Sequence, residues 1–372
     1  MGVEVERSFG IDYLKKFDYF LLGIALITSL LGLVFLKSAL TLAVDGGSKS
    51  MMIQIVGLII GVLLSLLIGF FDYGNFKNIW LPFLIFNFLV MCLVHVPHIG
   101  LDSQNGGHSW INIGFTTYQP SELMKLAMIL ALAKFLEKAD QEGMTVKNAI
   151  IILMLYIVPT GMVLLEDDIG TAMVFTFIFL TMLFVGRVKL RYIGACLAAG
   201  LACIPFIWKF VLNDTRRNRF FAFLDKDKFT QTYNYQMNKA MIAIGSGQFS
   251  GKGLGKGPMN LADIVPIRSS DMIFSVIGEE TGFVGCMLVV GLLLVMLARM
   301  VYISFKARDL FGSCIAGGIF AMFFFNIFEN IGMNIGIMPI TGLPLPFISR
   351  GGSAMVTNFV AIGLVLSISM RR

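Results

Sequence analysis

A carboxylate with a basic, hydroxyl-rich flank stands at Arg268-Ser269-Ser270-Asp271, directly before the apolar run Met272-Ile273-Phe274. At a water–lipid boundary Asp271 could accept a proton from an attacking hydroxyl while cations hold a phosphate-bearing leaving group, which is the work of a general base. An Asp in front of a helix is also a sufficient N-cap, and the sequence fits both roles. Upstream, residues 245–257 read GSGQFSGKGLGKG. So dense a glycine run excludes a regular helix there and offers exposed backbone N–H groups, with Lys252 and Lys256, to an anionic phosphate; the plainer reading is a turn at the lipid surface. It is no nucleotide-binding loop, because GxxxxGK followed by Ser or Thr is absent.

Other polar residues interrupt apolar stretches. Glu122 and Lys125 are three apart, hence on one helix face and able to pair, as a structural pair or as part of a substrate groove. Glu279 and Glu280 lie roughly 12–14 Å down the helix that begins after Asp271. Ionisable groups at that depth are expensive, so a functional role or a partner such as Glu122 or Lys125 is expected. Asp168, Glu329, Asn330 and Asn334 fall at span ends, where solvation by loops is a sufficient explanation for each. His95, His98 and His108 lack the companions of a zinc site. The five cysteines, Cys92, Cys196, Cys203, Cys286 and Cys314, lie in or beside apolar stretches without metal or redox spacing.

The elements that must position these groups follow from composition. Of 372 residues 57% are hydrophobic and only 14% charged, against about 25% charged in soluble domains, so the solvent is lipid. Apolar runs of the length a membrane helix needs centre on residues 20–42, 51–71, 79–97, 120–136, 148–165, 169–185, 190–212, 272–297, 310–332 and 353–370. The fold expected is all-α and polytopic, with about ten transmembrane helices in one domain over residues 1–372. Basic residues then collect on one side: Arg7, Lys15, Lys16, Lys77, Lys138, Lys147, Arg187, Lys189, Arg191, Arg299, Lys306, Arg308, Arg371 and Arg372. That side is the cytoplasm and holds both termini. The long loop 213–270, between helices 7 and 8, lies outside while carrying Arg216, Arg217, Arg219, Lys226 and Lys228; loops of that length escape the charge bias. Within it, residues 232–244 read as a short amphipathic helix at the interface, with Met237, Met241 and Ile244 at helical spacing. The net charge of +6 comes with no nucleic-acid-binding motif.

Five ordered blocks carry a resemblance. They are Trp110-Ile111-Asn112 with Gln119-Pro120-Ser121-Glu122-Leu123-Met124-Lys125; Asp168-Ile169-Gly170-Thr171-Ala172; Ala243-Ile244-Gly245-Ser246-Gly247 with Gly251-Lys252-Gly253-Leu254-Gly255; Asp271 through Glu280; and Pro344-Leu345-Pro346-Phe347-Ile348-Ser349 with Gly351-Gly352-Ser353. Together they resemble the SEDS family (shape, elongation, division and sporulation) of bacterial envelope synthesis, over nearly the whole chain. Residues 340–346, ITGLPLP, are closer to the elongation-type RodA branch than to the division type.

The resemblance implies a peptidoglycan glycosyltransferase of the bacterial cytoplasmic membrane. Such an enzyme polymerises lipid II on the outer face and releases undecaprenyl diphosphate, beside a class B penicillin-binding transpeptidase. It places the family's essential loop carboxylate on Asp271 and its acid–base pair on Glu122 and Lys125. Arg268, Lys252, Lys256, Ser269 and Ser270 are candidate contacts to substrate or diphosphate, and a divalent cation, Mg or Mn, could assist; no nucleotide is required. Ile267 and Ser269 stand where the family has Glu and His, Ser109 where it has Arg, Glu166-Asp167 where it has Gln-Pro, and Arg350 where it has Tyr. Two rivals stay open: a lipid-linked precursor flippase, which Glu122, Lys125, Glu279 and Glu280 in the spans would suit, and a non-catalytic scaffold for a transpeptidase, which the departures around Asp271 allow.

Overall fold

The computed structural model describes residues 16–41, 46–94, 96, 100–102, 108–114, 116–206, 208–209, 217–218, 221–223, 234–262 and 264–372. His95, His98, Arg216, Arg219, Lys226, Lys228 and the first two residues of the expected 232–244 helix lie outside these segments, as do Arg7 and Lys15. The helices are α1 (Tyr19–Ala39), α2 (Gly46–Phe70), α3 (Phe76–Leu93), α4 (Pro120–Glu142), α5 (Val146–Leu165), α6 (Ile169–Val185) and α7 (Leu190–Phe206). They continue with α8 (Tyr235–Ser246), α9 (Pro258–Leu261), α10 (Ile273–Lys306), α11 (Leu310–Asn334) and α12 (Gly352–Met370). Among the described residues, seven helices are long and apolar enough to cross a membrane, and α6 and α7 are apolar but shorter. α4 has the length but carries Glu122, Lys125, Lys134, Glu137 and Lys138. It is nonetheless the most enclosed of the early helices, buried from Pro120 through Ala133 except at the partly buried Leu123.

The all-α bundle carries one short sheet. Gly100–Asp102, His108–Asn112 and Thr117–Tyr118 form a three-stranded antiparallel sheet, β1-β2-β3. It precedes α4 and is too short for its alternation to stand out from surrounding loop residues.

Two ties between antiparallel neighbours set the height of the bundle. At one end Arg299 Nε meets Asp18 Oδ2 at 2.9 Å; at the other, Ser38 Oγ donates to Glu280 Oε1. Nineteen helical residues separate Glu280 from Arg299, about 28 Å at 1.5 Å per residue, which matches a hydrocarbon core of about 30 Å. The Asp18 end also gathers Lys77 with Glu137 and Asp309, and Arg371 with Asp72. Glu279 and Glu280 therefore sit at the opposite boundary and not deep in the bilayer, because α10 runs 34 residues and its first turns rise beyond the lipid.

At that boundary α10 breaks at Gly282 (φ 65°, ψ −161°). A break exposes backbone groups that lipid cannot satisfy, and the glycine-rich segment after α8 satisfies them. Lys252 N and Gly253 N donate to Glu279 O and Glu280 O at 3.0 and 2.9 Å, while Phe283 N and Val284 N donate to Gln248 O and Phe249 O at 2.9 and 3.2 Å. Such contact demands bare backbone: a Cβ on Gly251 would lie 2.2 Å from Glu280 O. The amides of residues 252 and 253, expected from the sequence to be open to a phosphate, are thus committed to α10. The preceding amphipathic helix is α8, and it turns Met237, Ala240 and Ala243 inward. Met241 and Ile244 are only partly buried.

Gly251→Val, with both a clash and a positive φ of 80°, is expected to cost on the order of 3 kcal/mol or prevent folding. Gly255→Ala, where φ is 68° but nothing lies within 4 Å, should cost only about 1 kcal/mol; thermal unfolding in detergent measures both.

Candidate active site

Asp271 closes a series of tight turns in which Ile267 adopts a left-handed φ of 54°, and Ser270 N and Met272 N return to Ile267 O. It is not the cap of α10: Met272 occupies that place and makes no side-chain capping bond. Of the two roles open in the sequence, the N-cap is set aside. The carboxylate is half-buried. Its Oδ1 accepts from Ser270 Oγ at 2.9 Å, and Oδ2 lies 3.4 Å from where a Cβ on Gly342 would stand.

What fixes Asp271 is its main chain. Its carbonyl oxygen accepts from Asn330 Nδ2 at 2.9 Å and from Asn334 Nδ2 at 3.0 Å. Both asparagines are fully buried and four residues apart on α11, so they share a face. Asn330 Nδ2 also donates to Leu343 O at 2.8 Å. These residues are therefore not solvated span ends, and their i,i+4 spacing is the signal that points to a joint role.

The 335–351 strap between α11 and α12 completes the grip. Ser349 Oγ donates to Ser270 O at 2.7 Å, and Arg350 N to Ser269 O at 2.9 Å. Gln54 of α2 locks the strap from behind, donating to Ser349 O and accepting from Gly351 N. Glu329, also fully buried, accepts from Thr341 Oγ1 at 2.8 Å, and Thr341 packs on Gly170 at the start of α6. Gln54 has no local sequence signature, since its bonds to the strap span 295 and 297 residues.

Beside the strap lies the Glu122–Lys125 pair, with Lys125 Nζ 2.9 Å from Glu122 Oε1 and both side chains buried. Glu122, Asn326, Ser349 and Asn358 line an enclosed cavity of about 10 Å³. Ser349 thus borders the pair on one side and holds Ser270 on the other. Asp168 caps α6 through Thr171 N and Thr171 Oγ1, both at 2.8 Å, and accepts from Gln119 Nε2 at 2.9 Å. Burial is the largest influence on its carboxyl and raises its pKa, against the opposing pull of the Thr171 bonds and of Lys125.

Glu166, in the turn between α5 and α6, is 1% exposed, and neither carboxyl oxygen has a hydrogen-bond partner. Burial, then the charge of Asp168, pushes its pKa up to about 8. Nothing in the linear sequence marks it beyond its place in Glu166-Asp167-Asp168.

The remaining sequence candidates disperse. Arg268 is buried, with Nε on Ala39 O at the end of α1 at 3.0 Å, so it ties the Asp271 segment to α1. Lys252 and Lys256 are exposed on the loop that packs against the Gly282 break. Glu279 does not reach Glu122 or Lys125; it accepts from Met259 N and Asn260 N at 2.7 and 3.0 Å and caps α9. Glu280 holds Asn260 Nδ2 and Ser38 Oγ. Both glutamates act as local joints because α9 folds back onto the first turns of α10. Among the described residues no three His, Cys, Asp or Glu side chains gather to hold a metal ion.

Residues 18–372 match the family model FTSW_RODA_SPOVE, described as "Cell cycle protein". The chain is 35% identical over 293 residues to peptidoglycan glycosyltransferase MrdB of Escherichia coli (strain K12), covering 79% of this chain and 78% of the relative. It is 32% identical over 302 residues to the probable peptidoglycan glycosyltransferase FtsW of Geobacter sp. (strain M18), covering 81% of each. Its fold superposes with a TM-score of 0.78 and 28% identity, over 95% of this chain and 97% of the other, on a chain of the solved structure described as "Structural coordination of polymerization and crosslinking by a peptidoglycan synthase complex".

Glu166 generates a pH prediction. Its folded pKa of about 8 exceeds the ordinary 4.5, so the folded chain binds more protons than the unfolded one between those values. Its contribution is fully present below pH about 4.5 and is lost as pH rises toward 8. Glu166→Gln should melt with wild type near pH 4.5 but higher than wild type at pH 8.5, by a few kcal/mol in order of magnitude. Parallel melting curves across that range would contradict it.

Proposed function

Because the chain belongs to the FTSW_RODA_SPOVE family, the SEDS peptidoglycan glycosyltransferases, we propose that Asp271 is the general base of its polymerisation step. It is a membrane enzyme of cell-wall synthesis that builds glycan strands from lipid-linked precursor. On our reading the precursor is lipid II, and the reaction occurs on the outer face. The observation that carries the assignment to Asp271 is the double amide clamp on its carbonyl. Together with Ser270, it aims a single half-buried carboxylate at the end of the bundle remote from the Asp18–Arg299 tie.

In the proposed step the C4 hydroxyl of one lipid-linked sugar attacks C1 of another. The new C1–O4 bond forms as the C1–phosphate oxygen bond breaks, the hydroxyl proton passes to Asp271, and undecaprenyl diphosphate leaves with the bonding pair. The base must lie within hydrogen-bond reach of that hydroxyl, which is why fixing residues 269–271 at three main-chain positions matters. The Glu122–Lys125 pair supports the strap from below and orients α4 beneath it. Arg216, Arg217, Arg219, Lys226 and Lys228 in the 213–270 loop supply positive charge for the leaving diphosphate, and the polyprenyl tails lie among the helices.

Both termini lie in the cytoplasm, on the side where the basic short loops collect, and ten helices cross. Residues 340–346 favour the elongation branch. A class B penicillin-binding transpeptidase is the partner, in keeping with the crosslinking complex whose fold this chain shares.

With purified protein and labelled lipid II, Asp271→Asn should slow glycan formation about 10²–10⁴-fold, the usual worth of a general base. A variant that polymerised at the wild-type rate would remove Asp271 from the mechanism. Asn334→Leu, which deletes one of the two clamp donors, should lower kcat about tenfold with KM little changed, equivalent to about one hydrogen bond.

A further inference from the structure

The loop from Gln248 to Lys256 is a built surface that the polymerisation reading leaves without a role. Its backbone is fixed to α10 on both sides of the Gly282 break, yet its side chains point away from the protein. Phe249 is 69% and Leu254 56% exposed. Lys252 and Lys256 are exposed too, and neither makes an ion pair with a described residue.

Position says what covers this surface. Phe249 stacks on Phe283, with ring centroids 6.0 Å apart and planes 23° from parallel. Phe283 heads an exposed apolar flank of α10 that continues through Val284, Met287 and Leu288 to Leu294 and Val295. That flank belongs to a spanning helix, so it faces acyl chains. Phe283 is three residues past Glu280, whose bond to Ser38 at the end of α1 marks the edge of the hydrocarbon layer. Phenylalanine and leucine side chains bury at the boundary between headgroups and acyl chains, and lysines just beyond it meet phosphate oxygens with which they make charge-assisted hydrogen bonds. The amides of residues 252 and 253 are spent on α10, and the two ammonium groups are the loop's cations for holding a phosphate.

We propose that Phe249 and Leu254 enter the bilayer edge beside Phe283, and that Lys252 and Lys256 bind the phosphate of an anionic phospholipid of that leaflet, making the loop a lipid-headgroup site. The diphosphate of the reaction is a different source of the same chemistry. The loop meets α10 at Glu279 and Glu280, eight and nine residues beyond Asp271, or about 12 Å along a helix. It anchors α10 close to the end that leads into the Asp271 turns.

The test uses the full-length protein in nanodiscs of phosphatidylcholine with phosphatidylglycerol, or of phosphatidylcholine alone. Native mass spectrometry should find phosphatidylglycerol retained by wild type, and at least a threefold drop in the retained fraction for Lys252→Gln/Lys256→Gln. Lys306→Gln, at the other end of α10, should leave retention unchanged. In phosphatidylcholine alone, with saturating lipid-linked precursor, the double variant should polymerise within about twofold of wild type. Equal retention by wild type and double variant would overturn the proposal. So would a loss of more than tenfold in polymerisation in phosphatidylcholine, because the lysines would then serve the substrate's diphosphate. The retention readout needs no catalysis, so it stands apart from the assignment of Asp271.

Discussion

The main-chain oxygen of Asp271 accepts two amide N–H groups from one buried face of α11, and the rest of the site depends on that joint. A carbonyl with two donors at 2.9 and 3.0 Å in a poorly hydrated setting is costly to release, since both buried amides would lose a partner. The side chain above it is thereby confined to one place by its own main chain. Ser349 and Arg350 repeat the device on Ser270 O and Ser269 O. Three consecutive carbonyls are thus held by α11 and by the strap that follows it.

This arrangement requires non-helical backbone at the edge of a membrane, where irregular chain survives only if its polar groups find partners within the protein. The structure meets the requirement twice. The strap is satisfied by Gln54, Asn330, Ser349 and Thr341–Glu329 contacts, and the break in α10 by the glycine loop. Glycine at residues 251 and 282 is what lets two backbones come close enough to exchange those bonds. Below both features the bundle is ordinary apolar packing, with α2 and α12 in intimate contact through Gly57, Gly61 and Gly363.

Much of this was legible in the linear chain, for reasons that differ by feature. The apolar runs marked out the helices because a spanning segment must be long and apolar regardless of its neighbours. Glu122 and Lys125 read as a pair because i,i+3 spacing is local geometry, and the structure closes them to 2.9 Å. The clamp did not read, because Asn330 and Asn334 look like polar residues near a loop until residue 271 is brought beside them from 59 and 63 positions away. Glu279 and Glu280 misled for a related reason: depth along α10 was counted from its first residue, while the bilayer edge lies well after it. Glu166 stood out in the chain only as a departure from the family's Gln-Pro, because burial without a partner is a property of the fold alone.

The departures around Asp271 acquire a physical sense from these contacts. Ile267 supplies the left-handed turn, Arg268 reaches the end of α1, and Ser269 contributes a carbonyl to the strap. The segment therefore keeps its anchorage with changed side chains around the acid. The central claim, a carboxylate held at the outer edge of the bilayer, is tested most directly by sidedness. In a cysteine-free background, Ser269→Cys should react with a membrane-impermeant maleimide in right-side-out vesicles and stay unlabelled in inverted ones, with Arg371→Cys showing the reverse. Labelling of Ser269→Cys confined to inverted vesicles would put Asp271 on the cytoplasmic side and contradict the account.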